Sequence, residues 1–218
     1  MKSLTVACAL ALGAGFAFTV PAASAHQASP AMSAASAPAT APKLHAALRS
    51  LLHGHIVATR DYALAVHAGN DAKAKQAAAS AVANAKQIAD AVAGFYGQAA
   101  GKQFLNLLAG HWGGVKALTD AAHAHDAAAE QKAMQDLANN GTQIAKFLAG
   151  ANPNLPEETV KGLWMMHVSD HKIQVEQMMS GAPAAEQEQT WNHMENHANT
   201  IADALASGIA KQFPQKAS

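Results

Sequence analysis

From residue 43 onward, apolar residues recur at steps of three and four. Leu48, Leu52, His55, Thr59, Tyr62 and Val66 form one series, and Phe104, Leu108, His111, Val115, Leu118 and Ala122 form a second. Trp164, His167, His171, Val175 and Met178 form a third. Residues at these steps share one face of an α-helix, so each series predicts a helix with one buried stripe. Turn-forming residues interrupt the pattern at "HAGND" (67–71), "HAHDA" (123–127) and "SGAPAAE" (180–186), and again at "GFYGQAAG" (94–101) and "GANPNLPEE" (150–158). Pro156 with the following Glu157 and Glu158 suits a helix start, because proline has no N–H to lose there and acidic groups face the positive end of the helix dipole. The expected elements are six helices at roughly 43–68, 71–95, 98–124, 126–149, 156–180 and 184–211.

A longer period lies over the helical one. His55, His111 and His167 are 56 residues apart (111 − 55 and 167 − 111), each preceded by an apolar pair or triplet. "NAKQIADAV" from Asn84 parallels "NGTQIAKFL" from Asn140 at the same interval, and "HANTIADAL" from His197 follows with one residue inserted. Two helical segments per period predict an all-α fold: a six-helix bundle of three antiparallel αα-hairpins related by a 56-residue internal repeat. Pairing within each hairpin sets His55 opposite Asn84, His111 opposite Asn140 and His167 opposite His197, so six polar residues point toward the bundle interior. Gly54, Gly110, Gly113 and Gly114 flank these histidines. Each costs a helix about 0.8–1 kcal/mol relative to alanine, which suggests close helix approach.

Composition narrows the classes of function. Fifteen Lys and Arg balance fifteen Asp and Glu, which leaves no basic excess of the kind nucleic acid requires. Residues 1–25 read as a secretory signal: Lys2, the apolar run "LTVACALALGAGFAFTV", then the small-residue cleavage pattern Ala23, Ser24, Ala25. Residues 26–42, "HQASPAMSAASAPATAP", read as a disordered linker, and 43–218 as the helical domain. The expected location is the periplasm or the exterior, with no transmembrane segment in the mature chain. Cys8, the lone cysteine, falls inside the signal, so neither disulfides nor thiolate metal sites are expected.

What stands out chemically is twelve histidines. His55, His111 and His167 on three different helices make a ligand set for Zn, Cu or Ni, with Asn84 and Asn140 placed to orient the rings through their free N–H groups. The competing reading is a buried polar network in a non-catalytic protein, since a buried neutral imidazole also needs partners for both nitrogens. A further alternative lies in the last hairpin, where "LWMMHVSDHKIQVEQMM" and "TWNHMENHANT" bring His167, His171, Met194 and His197 together. Imidazole with thioether suits Cu(I), or haem b bound without covalent attachment. No Glu-x-x-His pair supports a di-iron centre. No Gly-x-Ser-x-Gly, phosphate loop or His-Glu-x-x-His supports a catalytic site, and no sequence feature names a protein partner.

The stretches "FYGQAAGKQFLNLLAGH", "TQIAKFLAGANPNLP", "MMHVSDH" and "IAKQFP" resemble, in that order, a family of small uncharacterised bacterial helical proteins, often exported. The resemblance spans the domain after residue 43. It implies that the three repeated histidines belong to a shared plan, and it carries no activity with it. Where such relatives place an acidic residue after the two asparagines, this chain has Gln87 and Gln143, which weighs against a carboxylate-assisted site.

Overall fold

The computed structural model describes residues 41–217, and all of its regular structure is helical. The signal reading, and all but the last two residues of the linker, lie outside the described residues. The long helices are α1 (Pro42–His67), α2 (Asp71–Tyr96), α3 (Gln98–His123), α4 (Ala127–Ala151), α5 (Glu157–Met179) and α6 (Ala184–Gln212). A short α7 (Pro214–Ala217) follows, which the periodicity did not predict because four residues carry no period. Helix α1 starts at Pro42, and Ala41 before it is buried, so the last two residues of the stretch read as linker belong to the packed bundle.

Local chemistry accounts for the ends. Asn70 and Asp126 accept hydrogen bonds from the N–H groups of Lys73 and Ala129, each at 3.0 Å, capping α2 and α4. The turns after α1, α3 and α5 place Gly69, His125 and Gly181 in the left-handed region, at φ of 63°, 55° and 67°. Matching backbone bonds close them, from Asn70 N–H to the Ala65 carbonyl, Asp126 to Ala121 and Ala182 to Gln177. At the opposite end Gly97, at φ 88°, is the single residue between α2 and α3.

Each even-numbered helix lies against two odd-numbered ones: α2 against α1 and α3, α4 against α3 and α5, and α6 against α5 and α1. Helices α1, α3 and α5 also touch one another. The result is a closed bundle with an inner triangle of odd-numbered helices and outer helices in its three grooves. Helix α2 packs as closely on α3 as on α1, so the hairpins are not separate packing units.

The core has two apolar ends with a polar layer between them. Toward the turns at 69, 125 and 181, Tyr62, Trp112, Val115, Leu118, Leu137 and Val175 pack together. Toward the other end are Phe104, Leu108, Ile144, Leu148, Trp164 and Ile201. A fully buried side chain of this size contributes about 1.5–3 kcal/mol, more than an interior glycine costs, so packing decides where helices meet. At Gly54 and Gly110 an added Cβ would lie 2.9 Å from the Asn84 and Asn140 amide nitrogens, which shows why those positions are bare. Gly113, expected to mark another close approach, has open space beside it.

Candidate metal centre

His55 on α1, His111 on α3, and His167 and His171 on α5 meet in the layer between the two apolar ends. One ring nitrogen from each lies within 4.8 Å of the other three. His111, His167 and His171 are buried, and His55 is partly exposed. The inner triangle explains the convergence: each odd helix turns one stripe toward the axis, and on all three stripes a histidine occupies the same level. His171 joins because it stands one turn beyond His167 on the same face.

The nitrogens crowd one point. His171 Nε2 is 3.2 Å from His55 Nε2 and 3.1 Å from His167 Nε2. Ring centroids of His55, His111 and His167 lie 5.3 to 5.4 Å apart. Both nitrogens of His111, and Nδ1 of His167 and His171, are buried without a hydrogen-bond partner. Burial holds the rings neutral. It lowers His55 to about 4, and with the neighbouring His55 it lowers His111 to about 3. His167 and His171 are pushed well below the ordinary histidine value, first by burial and then by the surrounding rings.

Asn84 and Asn140 do something other than orient rings. Their amide N–H groups donate to the carbonyls of Leu51 and Leu107, each at 2.9 Å, and their Oδ1 atoms are buried without a partner. They hold backbone to backbone one turn away from the histidines, against the bare Gly54 and Gly110. Gln87 and Gln143 are exposed.

His197 is buried, and its ring centroid lies 6.4 Å from that of His167. Its Nδ1 stands 2.6 Å from Oδ2 of the buried Asp170, whose Oδ1 is 3.3 Å from Nε2 of the exposed His193. His197 Nε2 is buried without a partner. Met194 is fully buried in a small cluster with Ile56 and Ala198, filling core. Asp170 was missed from sequence. Its signal was helical spacing, since a residue three after the inward His167 shares part of that face. His123 and His125 are exposed.

A cavity of about 50 Å³ adjoins the ring layer on the side of Phe104 and Leu148. His55, His111 and His167 line it and His171 does not; the remaining walls are almost wholly aliphatic and aromatic. Trp164, whose Nε1 is buried without a partner, is one of them.

Four neutral imidazoles around one point can hold a transition-metal ion, and among the described residues this is the one such grouping of histidine and acidic side chains. No described helix is long and apolar enough to cross a membrane. No family model, curated protein or solved structure matches the chain.

Proposed function

We propose that His55, His111, His167 and His171 together hold one first-row transition-metal ion, in an exported protein that stores, buffers or senses it. The observation that carries this reading is the position of His171 Nε2 between two other Nε2 atoms. An imidazole nitrogen has one in-plane site, filled either by a proton or by a lone pair. His171 Nε2 can therefore make one well-aligned hydrogen bond, and it faces two nitrogens. A metal ion uses all the lone pairs at once. Tetrahedral ligands about 2.0–2.1 Å from an ion lie about 3.3–3.4 Å from each other, close to the two shortest separations here. The depressed basicity of the rings favours the same reading, because ligands already neutral release no protons on binding.

Neutral nitrogen donors without thiolate suit Zn, Cu or Ni better than a soft Cu(I) site. For the last hairpin alone, as Cu(I) or haem site, support is weaker: Asp170 engages His197 Nδ1 and Met194 packs among apolar side chains. The second reading, a buried polar layer, rests on those same two nitrogen separations, which are also hydrogen-bond distances. It leaves both nitrogens of His111 unsatisfied, at a cost of about 1–3 kcal/mol for each desolvated group.

The threefold internal repeat belongs to this proposal. Supporting it are the left-handed turn residues at 69, 125 and 181, and the paired Asn84–Leu51 and Asn140–Leu107 bonds, all 56 residues apart. A repeat would explain how three helices each supply a histidine at one level. The signal reading of residues 1–25 supports export, and the resemblance to exported helical proteins agrees with it.

The test is titration of metal-free protein with cobalt(II), followed by visible absorption and by elemental analysis after desalting. One equivalent bound, with the strong absorption of a tetrahedral nitrogen site, is expected, and it should vanish in His111→Ala. A wild-type protein that binds no cobalt, zinc, nickel or copper after reduction, refolding and direct loading would leave the polar layer as the answer.

A further inference from the structure

Three features compete for attention outside the four rings: the Asp170 pair with His193 and His197, the Arg60 guanidinium stacked 4.7 Å over Trp191, and the cavity beside the ring layer. The cavity carries the most. We infer that it is a binding chamber for a small neutral diatomic gas of the dioxygen class, placed against the open face of the histidine cluster. That placement rests on the metal reading; occupancy of the chamber does not.

Its size and lining select the occupant. All six long helices contribute walls, among them Leu48, Ile88, Phe104, Leu108, Leu148 and Ile201. Along α3 the walls run from His111 to Phe104, seven residues or about 10 Å of helix. A cavity holds a water molecule from about 10–15 Å³ upward, yet a water needs two to four polar partners, and apolar cavities of about 150 Å³ stay dry while admitting benzene. This one is roomy enough for water, offers it few partners, and is too small for a ring. What fits is a molecule of two heavy atoms with no hydrogen bonds to lose.

The histidine layer borders the chamber on one side. In a four-imidazole set, the face opposite His171 is the one made by His55, His111 and His167. Those three rings line the chamber and His171 does not. An ion held by the four rings would therefore have the apolar chamber on the side of His55, His111 and His167. Charged or strongly hydrated ligands would have to shed water to enter, at a cost of several kcal/mol or more.

The experiment uses metal-free full-length mature protein, methyl-labelled and observed by NMR with and without dissolved dioxygen. Dioxygen is paramagnetic and broadens methyl signals near which it resides. Ile88, Leu108, Leu148 and Ile201 are expected to broaden at least several-fold more than the exposed Leu64 and Val82. Ala198→Val, which adds two methyl groups to the chamber wall, should remove that excess, with Val92→Ile as a second variant if the first folds poorly. Benzene should leave the chamber methyls unmoved. Broadening of the wall methyls no greater than that of Leu64 and Val82 overturns the inference whatever the metal result. Benzene-induced shifts at those methyls overturn the assigned size class. Selective dioxygen broadening in a protein that takes up no cobalt supports the chamber and removes the metal reading alone.

Discussion

Lowering the pH of the metal-free protein from about 7.5 to about 5.5 should cost it about 5 kcal/mol of stability. The folded state holds His55 near 4 and His111 near 3, with His167 and His171 also well below the ordinary value. In the unfolded chain the same rings titrate near 6.5. Between those values the unfolded state binds protons that the folded state refuses, so stability falls as pH falls. At about pH 5.5 each unfolded ring gains about 1.4 kcal/mol from protonation, against less than about 0.1 kcal/mol at pH 7.5. Four rings give about 5 kcal/mol, a large part of the roughly 5–15 kcal/mol available to a whole domain. His55 is the most accessible of the four. With a urea dependence of about 2 kcal/mol per molar, the midpoint should fall by about 2.5 M. Urea titrations followed by helical circular dichroism at the two pH values would measure it. A midpoint that moves by less than about 0.5 M would refute the reasoning, because rings that take up protons in the folded state are not buried neutral. Metal at about one hundred times its dissociation constant should restore about 2.7 kcal/mol at the higher pH, and less as protons compete for the ligands.

Removing one imidazole with His171→Ala should weaken cobalt(II) binding by more than about 100-fold, beyond the roughly 10–100-fold that follows loss of an orienting partner alone, as read by competition with a chelator. Asp170→Asn removes the charged partner of the buried His197 and should destabilise the fold by about 1–3 kcal/mol in the same urea assay; an unchanged midpoint would mean the pair contributes nothing. Gly97→Ala forces a Cβ onto φ 88°, and should cost about 1–3 kcal/mol in thermal unfolding although nothing crowds the site. The gas chamber adds the dioxygen-broadening experiment to this set.

Helical periodicity alone marked six long helices, their breaks, and the inward stripes that carry His55, His111 and His167. That is local physics. The step of 3.6 residues fixes which side chains share a face, and glycine, asparagine and proline mark where the chain turns. Asn84 and Asn140 were legible as inward polar residues, but not their use. Whether an amide reaches an imidazole or a backbone carbonyl one turn away depends on the axial offset between two helices, and the bare Gly54 and Gly110 let it reach the carbonyl. Asp170 and the fourth ring, His171, were equally visible as letters on one helix face. Only packing decided that His171 joins His167 and rings from two other helices while Asp170 turns to His197. The cavity left no trace in the pattern, because a void is a mismatch among side-chain volumes on six helices at once. Sequence determined the faces; the meeting of faces, and the space left between them, belonged to the tertiary structure, because both depend on how rigid helices slide and rotate against each other.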